Sequence, residues 1–585
     1  MGALGDTGRA TALAAIEQAE REGMGMNVVS PSVEVSTRTI PVYQALAEDL
    51  RAMGVEQCFG LMSDDTIGLC VALDALGVQL HAIRHESNAV LAAEGYAAAT
   101  GKLGVAVIGR GPAAANGMHG IVAVSKVGTP VLVIMGEDDP RPGPNAVGPD
   151  YKGYSAPAVM AAAGLQAFKA PNAEAARATL AAAAAALRGA TVTLHLPVSA
   201  QTAELPYTPA PPPPKRPAPI TTLRRHGIDA ALAILAQSQR PLIVGGQGAH
   251  RAGAKQALER LADRTGALLI TPIKGKDLFR GHPFNLGLCG SFSHSLARRY
   301  VDQADCVLVF GASLNFYTTS KGAFFPDVPV IQVDSDRSHI GRYYTADIAI
   351  VGDARLVAEQ LADAAPERAD MPFRTDAIRQ EIAAFDMAAD FKPEHTARTL
   401  DPRSLAIRLG ELLPPSRTMV YDAGNFLLSA CYVPVSGPDK LRFTSDFASM
   451  GAGFGTALGV AAARPDDVTV LMVGDGGFMM TLSELETVAR LALRMVIVVF
   501  NDCAYGAELQ MCRIHGLPEA TSLFADIDLA PLAETLGFTG LTLRTMADLD
   551  AAADLLAACD GPILLDCKVN ADVQAPFIAE LVGKH

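Results

Sequence analysis

The chain has 585 residues, half of them apolar, with a mean hydropathy of +0.22, enough to bury several cores. Its formal charge is −14 with no basic block, which excludes a nucleic-acid surface. Nine scattered cysteines with no C-x-x-C pair exclude a disulfide framework or zinc site, and the absence of a long apolar run or a secretory pattern predicts a cytoplasmic protein that does not enter membranes.

In chain order, residues 1–36 form an extension with a short helical stretch, ATALAAIEQAEREGM, to which no chemistry is assigned. A first block, 37–204, alternates the strand-like runs GVEQCFGL, GVAVIG, PVLVIMG and TVTLHLP with alanine-rich helices. Residues 205–220 are proline-rich and read as an extended polyproline strap. A second block, 221–363, carries PLIVGGQG, ALLITP, CVLVFGAS and VPVIQVD. The charged stretch 364–400 reads as a linker containing one helix. A third block, 401–585, carries TMVYDAG, VTVLMVGDGG, MVIVVFND and PILLDCKV. This alternation predicts three doubly wound parallel-sheet α/β domains, one architecture used three times.

Residues 468–502 form one βαβ unit in which VTVLMV ends in Gly474-Asp475-Gly476-Gly477 and MVIVVF ends in Asn501-Asp502. Both acids stand at carboxyl ends of parallel strands, where open α/β sheets bind ligands. The glycines admit a phosphate to backbone N–H groups, and two carboxylates beside a diphosphate suit Mg²⁺. The plainer reading of GDG is a turn whose Asp caps a helix. In the first block, His85-Glu86 follow a strand-like segment and head an alanine-rich helix, and GVAVIG ends in Arg110-Gly111-Pro112-Ala113-Ala114-Ala115-Asn116. Glu86 is either a helix N-terminal charge or a buried functional acid.

RHE (84–86), EGYA (94–97) and ATGK (99–102), paired with GDGG (474–477) and Asn501-Asp502, resemble the thiamine diphosphate enzymes of the acetolactate synthase, pyruvate oxidase and pyruvate decarboxylase superfamily. The resemblance covers nearly all of the chain from residue 37. It implies a pyrimidine-binding domain, a middle Rossmann-like domain and a diphosphate-binding domain, with thiamine diphosphate and Mg²⁺ as cofactors. It implies that Glu86 bonds the aminopyrimidine, that Asn116, Asn425 (in Asp422-Ala423-Gly424-Asn425) and Tyr505 line the cofactor, and that Met450 bends it. Gly474, Asp475, Gly476, Gly477 and Asn501 hold the diphosphate end in the same reading. Asp475, Asp502 and the Ala504 carbonyl are the implied metal ligands. Asp502 stands where Asn is usual, and Asn501 would substitute if the register differed. The site lies between the first domain of one subunit and the third of another, so a homodimer or homotetramer is implied.

For the reacting group, Asp64 and Asp65 lie in FGLMSDD (59–65), where decarboxylases of the family carry an acid, and Glu508 matches a catalytic Glu six residues past the metal ligand. The plainer readings are a capping turn and a solvated helix charge. His119 is a weaker candidate. The Phe-Gln loop of acetolactate synthases is replaced by Asp150-Tyr151-Lys152, and the arginine of the FAD-binding synthases is missing after GASLNF (311–316). An FAD or ADP in the middle domain is thereby disfavoured. The first expectation is decarboxylation of a 2-oxo acid, with or without carboligation. The alternatives are acetolactate-type condensation and cleavage of a hydroxy ketone or diketone. A Rossmann dehydrogenase would need G-x-G-x-x-G after a first strand, which no block shows. A silent paralogue would be expected to lose Glu86 or the metal motif, and both are present.

Overall fold

The computed structural model describes residues 38–139, 151–187, 189–209, 225–366, 368 and 370–581. The expected N-terminal helix and Asp150 lie outside them, as does most of the proline-rich strap.

The first unit runs through β1 (Arg38–Pro41), β2 (Gln57–Gly60), β3 (Gln79–Ala82), β4 (Gly104–Ile108), β5 (Val131–Glu137), β6 (Gln166–Lys169), β7 (Thr191–Pro197) and β8 (Glu204–Tyr207). Its main sheet is parallel, in the order β3-β2-β4-β5-β7-β6, and β1 pairs antiparallel with β8 to tie the unit's ends together. The strap therefore starts later than its composition suggests. Leu205 and Tyr207 alternate inward from β8 and are buried, so the period-two pattern overrides the prolines.

The middle unit contains β9 (Pro241–Gly245), β10 (Leu268–Thr271), β11 (Asn285–Leu288), β12 (Cys306–Phe310), β13 (Val330–Asp334) and β14 (Ile348–Val351). The third contains β15 (Arg417–Tyr421), β16 (Leu441–Phe443), β17 (Val468–Gly474), β18 (Met495–Asn501), β19 (Thr539–Leu543) and β20 (Ile563–Lys568). The third sheet, β16-β15-β17-β18-β20-β19, repeats the strand order of the first, whereas the middle sheet, β11-β10-β9-β12-β13-β14, has the dinucleotide-fold order. All three are doubly wound parallel sheets, but one topology is used twice and another once. Residues 364–400 are less of a linker than expected. Phe373 is buried edge-on against Tyr300, and helix Asp376–Ala384 adds Ile378 and Ile382 to the middle core.

The first and third units share one apolar core, in which Phe59, Ala93, Phe454 and Leu471 belong to a single cluster. Its axis is the crossing of helix Glu86–Thr100 with helix Ala452–Ala463, both built from small residues. The backbones approach so closely that a Cβ on Gly459 would lie 1.8 Å from the Ala92 carbonyl oxygen, and one on Gly95 2.1 Å from that of Thr456. One helix begins at Glu86 and the other two residues after Met450, so this contact positions both candidate residues. Arg442 pairs with the buried Glu94 across the same interface.

Candidate active site

In the order of the third sheet, β15 and β17 flank the switch point, where the loops diverge and leave a crevice. Asp422, at the end of β15, is fully buried and accepts the Gly451 N–H at 2.7 Å and the Gly453 N–H at 2.9 Å. These bonds hold the turn before helix Ala452–Ala463. Gly451 takes φ +83°, which Gly adopts without strain, and the turn sets Met450 into the cleft. At the end of β17, Gly476 lets the Tyr505 ring approach, since a Cβ there would lie 2.8 Å from it.

At the end of β18 the two adjacent residues part. Asn501 turns into the core, where its Nδ2 donates to Asp566 at 2.8 Å and its Oδ1 accepts the Cys503 N–H at 3.3 Å. Asp566 is itself buried and paired at 3.0 Å with Lys568, whose Nζ also reaches Asp526 at 2.9 Å. The left-handed Cys503 (φ +56°) then reverses the chain, so that Asp502 and Ala504 line the cleft. Asn501 as a diphosphate or substitute metal ligand is thus corrected: alternation along β18 points it away.

The cleft has a volume of about 240 Å³ and is lined by Gly474, Asp475, Gly476, Gly477, Asp502, Ala504, Tyr505, Met450 and Glu508, among others. The Asp475 and Asp502 carboxyls both line the cleft and lie close enough to perturb one another. Burial pushes Asp475 up to about 6; burial, then the charge of Asp475, pushes Asp502 well above the usual carboxylate range. Such a pair needs a proton or a cation between its oxygens. Two carboxylates beside a backbone carbonyl are a hard oxygen donor set that fits Mg²⁺ alongside phosphate oxygens. Gly506 completes the fit, because a Cβ there would lie 2.2 Å from the Asp502 carboxylate.

Asn425 lines the cleft, but both ends of its side chain are committed. Its Nδ2 donates to the Val573 carbonyl and its Oδ1 accepts the Ala575 N–H, each at 2.9 Å. Its side chain thus anchors the C-terminal segment at the cleft wall. That segment adds Asn570 and Phe577 to the cleft wall and carries Glu580, which is held by Ser291, Ser320 and Arg298 of the middle unit. Tyr317 of the middle unit also lines the cleft.

On the first unit, the His85 Nδ1 accepts the Ser87 N–H and caps the helix that Glu86 begins. Glu86 is buried, and its Oε2 accepts the Asn116 amide at 3.3 Å. Beside it, Arg84 and Asn88 bond Glu484 and Glu486 of the same chain. Glu86 does not line the cleft that holds Asp475, so one chain does not bring the two motifs together.

Asp65 is buried and accepts the Arg110 N–H at 2.6 Å, so it secures the loops at the first sheet's switch point. The expectation of Asp65 as a reacting acid is corrected on that ground. Asp64 is exposed and paired with Lys152, which, with Ser63, holds its carboxyl below the usual range. It is therefore anionic, not the protonated acid that a substrate carboxylate requires. Glu508 is exposed and lines the cleft, Tyr151 is 91% exposed, and His119 bonds the Ser449 hydroxyl beside Met450. The reading by motif did not foresee the Asp64–Lys152 pair or the Asp566–Lys568 pair. Two charges at inward positions of an apolar strand, LLDCK, are the signal that would have found that pair.

In the middle unit, the Gly246 and Gly248 amides at the switch point of β9 and β12 already donate to Phe310 and Gly311 carbonyls, each at 2.9 Å. Among the described residues, no helix is long and apolar enough to cross a membrane.

Three family models match the chain in order: the N-terminal binding domain of the thiamine pyrophosphate enzymes over residues 40–141, their central domain over 228–361 and their C-terminal binding domain over 422–567. Similar curated proteins include two from Escherichia coli. The acetolactate synthase isozyme 3 large subunit is 28% identical over 530 residues, 87% of this chain and 90% of that protein. The isozyme 2 large subunit is 26% identical over 542 residues, 90% and 95% of the two chains. The acetolactate synthase large subunit of Parasynechococcus marenigrum is 27% identical over 563 residues, 91% and 88%.

Proposed function

The chain belongs to the thiamine pyrophosphate enzymes, and from that premise we propose that it joins two 2-oxo acids in an acetolactate synthase-type condensation. One observation at the site carries the reading: the facing Asp475 and Asp502 carboxyls in a glycine-walled cleft at a sheet switch point, a seat for a metal diphosphate. The near full-length likeness to acetolactate synthases supports the condensation. When bound, thiamine diphosphate supplies a carbon nucleophile and an electron sink for decarboxylation. Asp475, Asp502 and the Ala504 carbonyl hold Mg²⁺ on the diphosphate in this reading, and Met450 shapes the cofactor. Glu86 of a second copy holds a proton at the aminopyrimidine, oriented by the Asn116 amide. The active form is then at least a homodimer.

Glu508 favours a second reading. It is a carboxyl on the cleft wall, placed to deliver a proton once CO₂ has left, which would release an aldehyde instead of a condensed acid. The test is reconstitution with thiamine diphosphate and Mg²⁺, followed by a screen of 2-oxo acids for CO₂, hydroxy acid and aldehyde. A condensed 2-hydroxy-3-oxo acid supports the first reading and free aldehyde the second. No turnover of any 2-oxo acid sinks both. Glu86→Gln is expected to abolish exchange of the cofactor's C2 proton, and wild-type exchange would remove Glu86 from the mechanism.

A further inference from the structure

A site that takes 2-oxo acids has to meet a carboxylate. The charged residues lining the described cleft are Asp475, Asp502 and Glu508, and no Lys, Arg or His is among them. Two of these acids are committed to the metal in the reading above, and the third repels an anion unless protonated. Charge complementarity therefore puts the cation on the face that carries Glu86.

At that edge of the first unit, the loop after β2 and the chain beyond β5 meet in the ion pair of Asp64 with Lys152. The Lys152 backbone is seated on Gly111, where a Cβ would lie 2.3 Å from its carbonyl oxygen and 2.9 Å from its own Cβ. Gly111 caps helix Pro112–Val127, and Asn116 on that helix donates to Glu86. The five helical steps from Gly111 to Asn116 rise about 7.5 Å, so Lys152 stands on the same edge as the proton-holding acid. Arg110, also on this edge, pairs with Asp138. Lys152 remains 34% exposed and Asp64 76% exposed, so the ion pair is open to an approaching substrate anion.

We propose that Lys152, aimed by Asp64, is the specificity-determining residue that recognises the carboxylate of the 2-oxo acid. Asp64 is then a positioning residue. The proposal rests on the reading of a 2-oxo acid enzyme with a site shared between two copies.

The experiment uses holoenzyme loaded with thiamine diphosphate and Mg²⁺ and two probes: methyl acetylphosphonate, a monoanion shaped like pyruvate, and its neutral dimethyl ester. Lys152→Met is expected to weaken the monoanion about 30-fold and to leave the neutral ester within about twofold. Lys152→Arg retains most of the monoanion affinity. Asp64→Asn weakens it by about threefold, and KM for pyruvate rises while kcat holds. Thiamine diphosphate affinity and melting temperature stay at wild-type values in all three variants. Equal weakening of both probes, or unchanged monoanion binding in Lys152→Met, overturns the proposal. Wild-type holoenzyme that releases CO₂ from no 2-oxo acid overturns the functional reading instead, and that assay precedes the variants.

Discussion

Replacing Gly459 with Ala tests whether the crossing of helices Glu86–Thr100 and Ala452–Ala463 positions the site. The added methyl would lie 1.8 Å from the Ala92 carbonyl oxygen and 2.7 Å from the Tyr96 nitrogen. These are backbone atoms, so no side-chain rotation relieves the overlap. Restoring ordinary contact moves the helices apart by about 1.5 Å, which also opens the close contacts at Gly95 and Gly455. Overpacking costs about 3 kcal/mol at its upper end, and the better helix propensity of Ala returns about 1 kcal/mol, leaving about 2 kcal/mol of destabilisation. For a unit of this size that lowers the first unfolding transition by about 4–8 °C. Glu86 and Met450 move with the helices, so thiamine diphosphate affinity falls as well. Calorimetry and cofactor titration read the two effects. Gly561→Ala, with nothing within 4 Å of the new methyl, is the control and stays at wild type. A Gly459→Ala protein with wild-type melting and wild-type cofactor affinity would refute the argument.

Asp422 provides a pH test. Burial raises its carboxyl from the usual aspartate value to about 6, a shift equivalent to about 3 kcal/mol. The fold favours the protonated form, so this contribution is complete below about pH 4 and is lost as the pH rises through about 6. The melting temperature of the cofactor-free protein is expected to fall between pH 5 and pH 7 by more in wild type than in Asp422→Asn; equal falls would contradict the assignment. Asn425→Ala strips partners from the Val573 carbonyl and the Ala575 N–H, at about 1–3 kcal/mol for each group left unsatisfied. Proteolysis beyond residue 570 is expected to accelerate, and cleavage at the wild-type rate would show that the segment is held elsewhere.

The chain's apolar runs were legible as strands where strands are central. The four runs read in each block are the four inner strands of each sheet, buried on both faces by helices. The strands missing from that reading are edge strands such as β6 and β19, whose half-exposed residues, QAFK and TGLTL, leave no apolar run. Only the strand-like stretch before His85 marked an edge, β3. The motifs likewise disclosed the family, the glycine turn and the acids at the strand ends, because these depend on local geometry. Local sequence does not say which of two neighbours faces a cleft. Asn501 and Asp502 are both plausible ligands on paper, and the buried Asp566–Lys568 pair, some 65 residues away, draws Asn501 inward. The pairing of Asp64 with Lys152 and the clamp of Asn425 on the C-terminal segment are also long-range contacts, set by how the sheets and loops pack. By itself the sequence determined the three-sheet class, the family and the acids at the strand ends. Tertiary packing decided which side chains reach the cleft, since burial and partner charge are properties of the assembled units.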